Sequence, residues 1–249
     1  MGALSDRTAL VTGASAGIGA ATARALAAAG ARLVLAARRR ERLEELAAEL
    51  EGSTPLALDV RDAAAVRAAL EPWTFDVVVA GAGLARGTEP LQEGDPAEWA
   101  EMLETNVQGV LNVLRATLPA MMARGSGDFV FLGSVAGRQV YPGGNVYCAS
   151  KYAVRALYEA ARIDAAGSGL RFTTVDPGMV ETDFSLVRFR GDRERAAAVY
   201  AGVDAIQPED VAEAVLFAVT RPPHVNVGEI VMWARAQAST TQVTRRPRD

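Results

Sequence analysis

At 249 residues the chain fits one α/β domain better than two, and it is long enough to bury a sizeable core. Half of it is hydrophobic and 22% is charged, near the globular average, and a net charge of −4 gives no reason to expect nucleic acid as a partner. One cysteine excludes an internal disulfide and fits a reducing compartment, while one histidine, His224 in a Pro-Pro-His turn, has no second ligand type nearby to make a metal site. The N-terminus lacks a basic region followed by an apolar stretch and a cleavage site. No run of about 18 or more apolar residues suggests a membrane span. A soluble cytoplasmic protein is expected, with no repeat or linker dividing it.

Thr8-Ala9-Leu10-Val11-Thr12 is a short β-branched run that ends at glycine, the pattern of a buried strand. Gly13-Ala14-Ser15-Ala16-Gly17-Ile18-Gly19 follows, and then an Ala-rich helical stretch to Gly30. Strand, glycine turn and helix together make a phosphate site. Gly13 allows the tight turn, Gly17 and Gly19 allow close approach, and the helix N-terminus with Ser15 and Ile18 faces a pyrophosphate. The next strand is expected at 32–36. Beyond it a dinucleotide fold often carries an acid for the ribose of NAD, or an arginine for the phosphate of NADP. Here the chain reads Arg38-Arg39-Arg40 before the first acid, Glu41, so NADP is the expected cofactor. Arg39 or Arg40 alternatively opens a solvated helix.

Strands are expected at 56–60 and 75–80 with a helix at 63–70 between them. A helix spans 96–124 with an interruption near Asn106. Further strands fall at 128–133, 171–176 and 229–233, and another helix opens near Pro208. Such alternation predicts a parallel sheet covered on both faces, with ligands at the carboxyl ends of the strands. Gly13, Asp59, Gly81, Ser134 and Pro177 all lie there.

Among 26 Lys plus Arg the sequence holds a single lysine, Lys151. In so arginine-rich a chain, a retained lysine suggests work that a rigid guanidinium fork cannot do. Tyr147 stands four residues before it, so on a helix the phenol and the ammonium share a face, about 6 Å apart at Cβ. A free phenol, with a pKa of about 10, is a poor base near neutrality. An ammonium ~4 Å away is worth ~4 kcal/mol at an effective dielectric of ~20, enough to lower that pKa by about three units. In bulk water it would be worth only ~1 kcal/mol, so the pair must be shielded. Cys148, beside Tyr147, reads as a small buried hydrophobe.

Thr12-Gly13-x3-Gly17-x-Gly19, Asn106, Ser134, Tyr147-x3-Lys151 and Pro177-Gly178, in this order and spacing, resemble the short-chain dehydrogenase/reductases over nearly the whole chain. The resemblance implies a single-domain α/β fold, a Rossmann-like doubly wound parallel sheet of about seven strands with helices on both faces. Residues 1–235 would combine dinucleotide binding and catalysis, with 236–249 a polar tail. By resemblance, Tyr147 exchanges the proton with the substrate oxygen and Ser134 hydrogen-bonds that oxygen. Lys151 would hold the ribose and lower the phenol pKa, and Asn106 would anchor a water leading to solvent. Asp59 and Val60 would meet the adenine, Val180 and Thr182 the carboxamide, and Gly81, Pro177 and Gly178 would line the cofactor site. One motif departs: Ala80-Gly81-Ala82-Gly83 stands where the family usually has Asn-Asn-Ala-Gly, which puts local stability in question.

Gly143-Gly144-Asn145-Val146-Tyr147, the segment Thr182 to Asp192 and His224-Val225-Asn226-Val227 are similar to the NADP-dependent 3-hydroxy acid dehydrogenases. That resemblance implies serine, allo-threonine or 3-hydroxypropionate as substrate, with Arg188 or Arg190 pairing with its carboxylate; either arginine could instead grip Asp192 or solvent. The alternatives are a reductase of bulkier ketones with a reshaped 183–205 segment, a non-catalytic NADP-binding protein and, further off, a sugar-nucleotide epimerase. Helices near 107–123 and 146–165 carry apolar residues on several faces, among them Val110, Leu111, Val113, Leu114 and Leu118. With the family's habit this implies a homotetramer; a broadly buried helix within one subunit would also explain it. The tail is expected to fray or to lie on a neighbour.

Overall fold

Residues 2–246 are described by the structure, a computed structural model. Its strands are Thr8–Thr12 (β1), Arg32–Ala37 (β2), Thr54–Ala57 (β3), Val77–Ala80 (β4), Gly127–Leu132 (β5), Leu170–Pro177 (β6) and Glu229–Met232 (β7). All seven are parallel, in the order β3-β2-β1-β4-β5-β6-β7. Its helices are Gly17–Ala28 (α1), Arg40–Glu49 (α2), Ala63–Leu70 (α3), Pro96–Leu103 (α4), Gly109–Arg124 (α5), Asn145–Asp164 (α6), Phe184–Arg188 (α7), Arg193–Tyr200 (α8) and Pro208–Val219 (α9).

Successive strand residues point to opposite faces, and in the central strands both sets are apolar, so the sheet must be covered twice. Val11, Leu33, Leu35, Val79 and Val130 form one core layer with α1, α2 and α9. Leu10, Val34, Val78, Phe129 and Phe131 form the other with α3, α5 and α6. The strand order reverses between β1 and β4, which opens a crevice at their carboxyl ends. The fold and strand count agree with the sequence.

The boundaries differ where polar side chains interrupt the ladder. The third strand runs 54–57 rather than 56–60, because the Asp59 carboxylate accepts from the Arg61 amide at 3.0 Å and turns the chain. As an edge strand, β3 also tolerates Pro55. The interruption expected near Asn106 is a π turn, Glu104–Gln108, between α4 and α5. Two short helices, α7 and α8, occupy most of the 183–205 segment; Asp192 caps α8 by accepting from the Arg195 amide.

Of the apolar residues on α5, Val110, Val113 and Leu114 are buried within the chain, and only Leu111 among those named stays exposed. The multifaceted pattern is thus mostly a helix buried within its own subunit. No described helix is long and apolar enough to cross a membrane.

One buried ion pair clasps the far end of the sheet. Arg171, 8% exposed, meets Asp128, 4% exposed, through bonds of 2.6 and 3.0 Å. Its remaining N–H groups donate to the carbonyls of Val219, Arg221, Pro222 and Val225, which close the C-terminus of α9. Arg171→Leu leaves the Asp128 carboxylate with only the partly exposed Arg7, at 3.2 Å, and strands those carbonyls, so it should cost about 3–5 kcal/mol. A urea titration should show the midpoint falling at constant slope; a loss below about 1 kcal/mol would mean that solvent or Arg7 replaces the pair.

Candidate functional site

The crevice is a cavity of about 830 Å³. The glycine-loop residues Gly13, Ser15, Gly17, Ile18 and Gly19 line it, with Arg38 and Arg39 past β2 and Asp59 and Val60 past β3. So do Gly81, Ser134, Tyr147, Lys151, Pro177, Gly178, Val180, Thr182 and Arg188. The loops after the strands thus bring together every expected site residue except Asn106 and Arg190.

One end is built for a phosphate-bearing dinucleotide. Gly13 has φ +74°, and a Cβ there would lie 2.7 Å from the Gly81 carbonyl oxygen. A Cβ on Gly19 would run into the Gly13 carbonyl, so α1 can pack closely under the turn. The N-terminus of α1 has neither a capping side chain nor an acid in its first turn, which leaves its amides to an anion. Arg39 donates to the Ser15 hydroxyl at 3.0 Å, whereas Arg38 has only a 3.9 Å contact with Glu101 and is half exposed. Arg40 lies within α2, near Glu44. The Asp59 carboxylate is held by Arg61 at 2.6 Å, which keeps it ionised.

The motif departure at Gly81 has a local compensation. Thr12 Oγ1 accepts from the amides of Gly81 and Ala82 at 3.0 and 3.2 Å, doing the pinning expected of the missing asparagines. A Cβ at Gly81 would lie 2.8 Å from Leu132 Cδ1, so β5 packs directly against the turn.

At the other end α6 presents Tyr147 and Lys151 one turn apart. The ammonium lies 6.0 Å from the centre of the Tyr147 ring and donates to the Leu132 carbonyl at 2.9 Å. Burial lowers the Lys151 pKa to about 8, opposed by the negative charge of Asp176. Asp176 is 2% exposed; it packs against Gly133, accepts from Thr174 Oγ1 at 2.6 Å and pairs with Arg138 at 2.6 Å. Burial also pushes the Tyr147 phenol up, and the groups that pull it back are Arg188 first and a hydrogen bond with Ser134 second. Ser134 Oγ accepts from the Ala136 amide at 3.1 Å.

A second cation besides Lys151 stands beside the phenol. The cation that most favours the phenolate is the Arg188 guanidinium, centred 5.0 Å over the Tyr147 ring.

Asn106 is buried away from the cavity wall. Its Nδ2 donates to the Leu84 carbonyl and to Ser150 Oγ, and its Oδ1 accepts from the Leu84 amide at 2.8 Å, so its side chain is fully engaged in shaping the turn beside Gly83. Arg190 points elsewhere too. In a left-handed conformation (φ +55°), it ties α7 to α4 through Glu98 at 2.7 Å and also meets Glu89, rather than Asp192.

The sequence reading missed the closing wall. Gln237, Thr240, Thr241, Val243 and Arg245 line the cavity, as do Tyr141, Phe184 and Tyr200. Gln237 Oε1 accepts from the Met179 amide at 2.9 Å, Gln237 bridges to Val243, and Arg245 donates to the carbonyls of Val199 and Ala201. The tail through residue 246 thus folds over its own site rather than fraying; 247–249 lie outside the described residues. Its polar composition gave no periodic signal.

Comparisons place this geometry among known proteins. The family model for short chain dehydrogenase matches residues 7–192. An NADP-dependent 3-hydroxy acid dehydrogenase of Schizosaccharomyces pombe is 40% identical over 99% of both chains. Sulfoacetaldehyde reductase 2 of Chromohalobacter salexigens is 44% identical over 92% of this chain and 94% of its own length. The closed form of serine dehydrogenase complexed with NADP+ superimposes with a TM-score of 0.92 at 38% identity, covering 96% of this chain and 100% of that one.

The single lysine makes the electrostatics measurable. With Cε-labelled lysine, NMR should show one Lys151 signal titrating near 8, and lower in Asp176→Asn. A midpoint close to the ordinary 10.5 would mean that the ammonium is hydrated, not buried.

Proposed function

We propose a function for a chain that belongs to the short chain dehydrogenase family: hydride transfer between NADP(H) and a small 3-hydroxy acid of the serine, allo-threonine or 3-hydroxypropionate type. The chain is an NADP-dependent oxidoreductase acting on CH–OH groups. The observation that carries the substrate class is Arg188. Its guanidinium lies 5.0 Å over the Tyr147 ring, on the wall of the same cavity, where an acid group one or two carbons from the reacting carbon would meet it.

NADPH, when bound, supplies the hydride, and NADP+ takes one up. Tyr147 gives a proton to the substrate oxygen in reduction and accepts it in oxidation. Ser134 hydrogen-bonds that oxygen and holds it beside the phenol. Lys151 orients the cofactor ribose, and Asn106 acts indirectly by fixing the turn at Leu84. Arg38 and Arg39, with no acid at the end of β2, favour the extra phosphate of NADP. A guanidinium does not by itself distinguish carboxylate from sulfonate, and the likeness to a sulfoacetaldehyde reductase adds small sulfonates to the candidate substrates.

The exposed Leu103, Leu111, Tyr152 and Ile163 on α4, α5 and α6 support a homotetramer. The single buried cysteine is consistent with a cytoplasmic location.

Arg38→Ala should weaken NADPH roughly tenfold to a hundredfold while leaving NADH nearly unchanged; equal losses would show that Arg38 does not read the phosphate. Initial rates on 3-hydroxypropionate, L-serine, 2-hydroxyethanesulfonate and an aryl secondary alcohol test the substrate class. The acids should turn over, and Tyr147→Phe should lower kcat by about 10²- to 10⁴-fold with NADPH affinity retained. Preference for the aryl alcohol without measurable acid turnover would overturn this reading.

A further inference from the structure

We propose that Arg188 couples recognition of the substrate's acid group to the acidity of Tyr147, so that an anionic substrate makes the phenol a weaker acid on binding. This rests on the reading of Arg188 as the anion contact and adds a chemical consequence to it.

Arg188 differs from the arginines nearest the Tyr147 end of the cavity that carry acid partners. Arg86 is paired with Glu101, Arg138 with Asp176 and Glu229, and Arg190 with Glu89 and Glu98. Among the described residues, no carboxylate lies within ion-pair distance of Arg188; its side chain donates only to the Tyr141 hydroxyl, at 2.9 Å. Three aromatic rings hold it in place: its centre is 5.0 Å from the Tyr147 and Phe184 rings and 5.8 Å from Tyr141. It is an uncompensated, preoriented cation beside a phenol.

The other groups facing Tyr147 do not substitute for it. On α6, Lys151 is partly neutral near pH 8 and Cys148 is held protonated by burial. Tyr141, on the preceding loop, is pushed up by burial, and Tyr200 on α8 engages Ser185 and the Val180 carbonyl. Ser134 is uncharged, and Asp176 acts from behind Lys151. A guanidinium does not lose its proton near neutrality, so pairing with an anion is what cancels its field.

A substrate carboxylate or sulfonate would supply that pairing. In reduction the phenol O–H breaks, its proton goes to the carbonyl oxygen, and hydride from NADPH forms the new C–H bond. In oxidation the phenolate accepts the hydroxyl proton and hydride passes to NADP+. Raising the phenol pKa on binding keeps the proton available for reduction of an anionic carbonyl and moves oxidation of the anionic alcohol to higher pH.

The test compares 3-hydroxypropionate with 3-hydroxypropanamide, which has the same reacting carbon and no charge, in oxidation at saturating NADP+. The pH dependence of kcat/KM reports the enzyme before the alcohol binds, and that of kcat reports the complex. For the acid, the kcat limb should lie about one pH unit above the kcat/KM limb, a tenfold difference in rate on the slope. For the amide, the two limbs should coincide.

In Arg188→Gln the kcat/KM limb should move up by a similar amount for both substrates, and the acid's two limbs should merge. Coincident limbs for the acid in the unaltered enzyme would overturn the coupling. So would an Arg188→Gln variant with unmoved limbs; if its KM for the acid alone were raised, the anion contact would survive and only the coupling would fail. Equal rises in KM for acid and amide would defeat the anion contact itself. If Arg188→Gln does not fold, the acid–amide comparison in the unaltered enzyme still decides.

Discussion

Lys151 keeps an ammonium against the Leu132 carbonyl, partly withdrawn from bulk water on the cavity wall, while Asp176 lies behind it beneath Gly133. Much of the site's layout follows from holding that charge. Taking an ammonium out of water disfavours its protonated form, so a carboxylate must stand near, and that carboxylate must itself be satisfied. Thr174 and Arg138 do this, and Glu229 on the edge strand β7 completes the chain of charges. The strand ends are spaced to build this arrangement: β5 supplies the carbonyl, β6 the carboxylate and β7 the outer partner.

The phenol answers to a second charge. Lys151 and Arg188 flank Tyr147 from different elements, and they differ in kind. One is an amine whose pKa burial brings into the working range; the other is a guanidinium that stays charged and is held over aromatic faces. Retaining lysine at one position and arginine at the other gives the site one charge that pH can remove and one that only an anion can mask.

The layered fold was legible because strand and helix periodicities are local. Runs such as Val77-Val78-Val79 and Phe129-Val130-Phe131 bury both faces of the sheet, and the turns after them carry the glycines and Ser134. The i, i+4 spacing alone put Tyr147 and Lys151 on one face. What stayed hidden depended on tertiary contacts. That Arg188 faces the site while Arg190, two residues on, grips Glu98 follows from the path of α7 and not from composition. Asn106 was found as a break in the helix, but its bonding to Leu84 depends on a loop 22 residues away. The tail closes the cavity through main-chain carbonyls of the 199–201 segment, which no side-chain pattern announces.

A crystal structure with NADP+ and 3-hydroxypropionate tests the central claim most directly, since it asks whether the two charges and the phenol converge on one substrate. The account predicts the hydroxyl oxygen within hydrogen-bond reach, about 2.6–3.2 Å, of both Tyr147 and Ser134, with the carboxylate on Arg188 and the extra phosphate beside Arg38. A substrate hydroxyl turned away from Tyr147, or a carboxylate seated clear of Arg188, would contradict it.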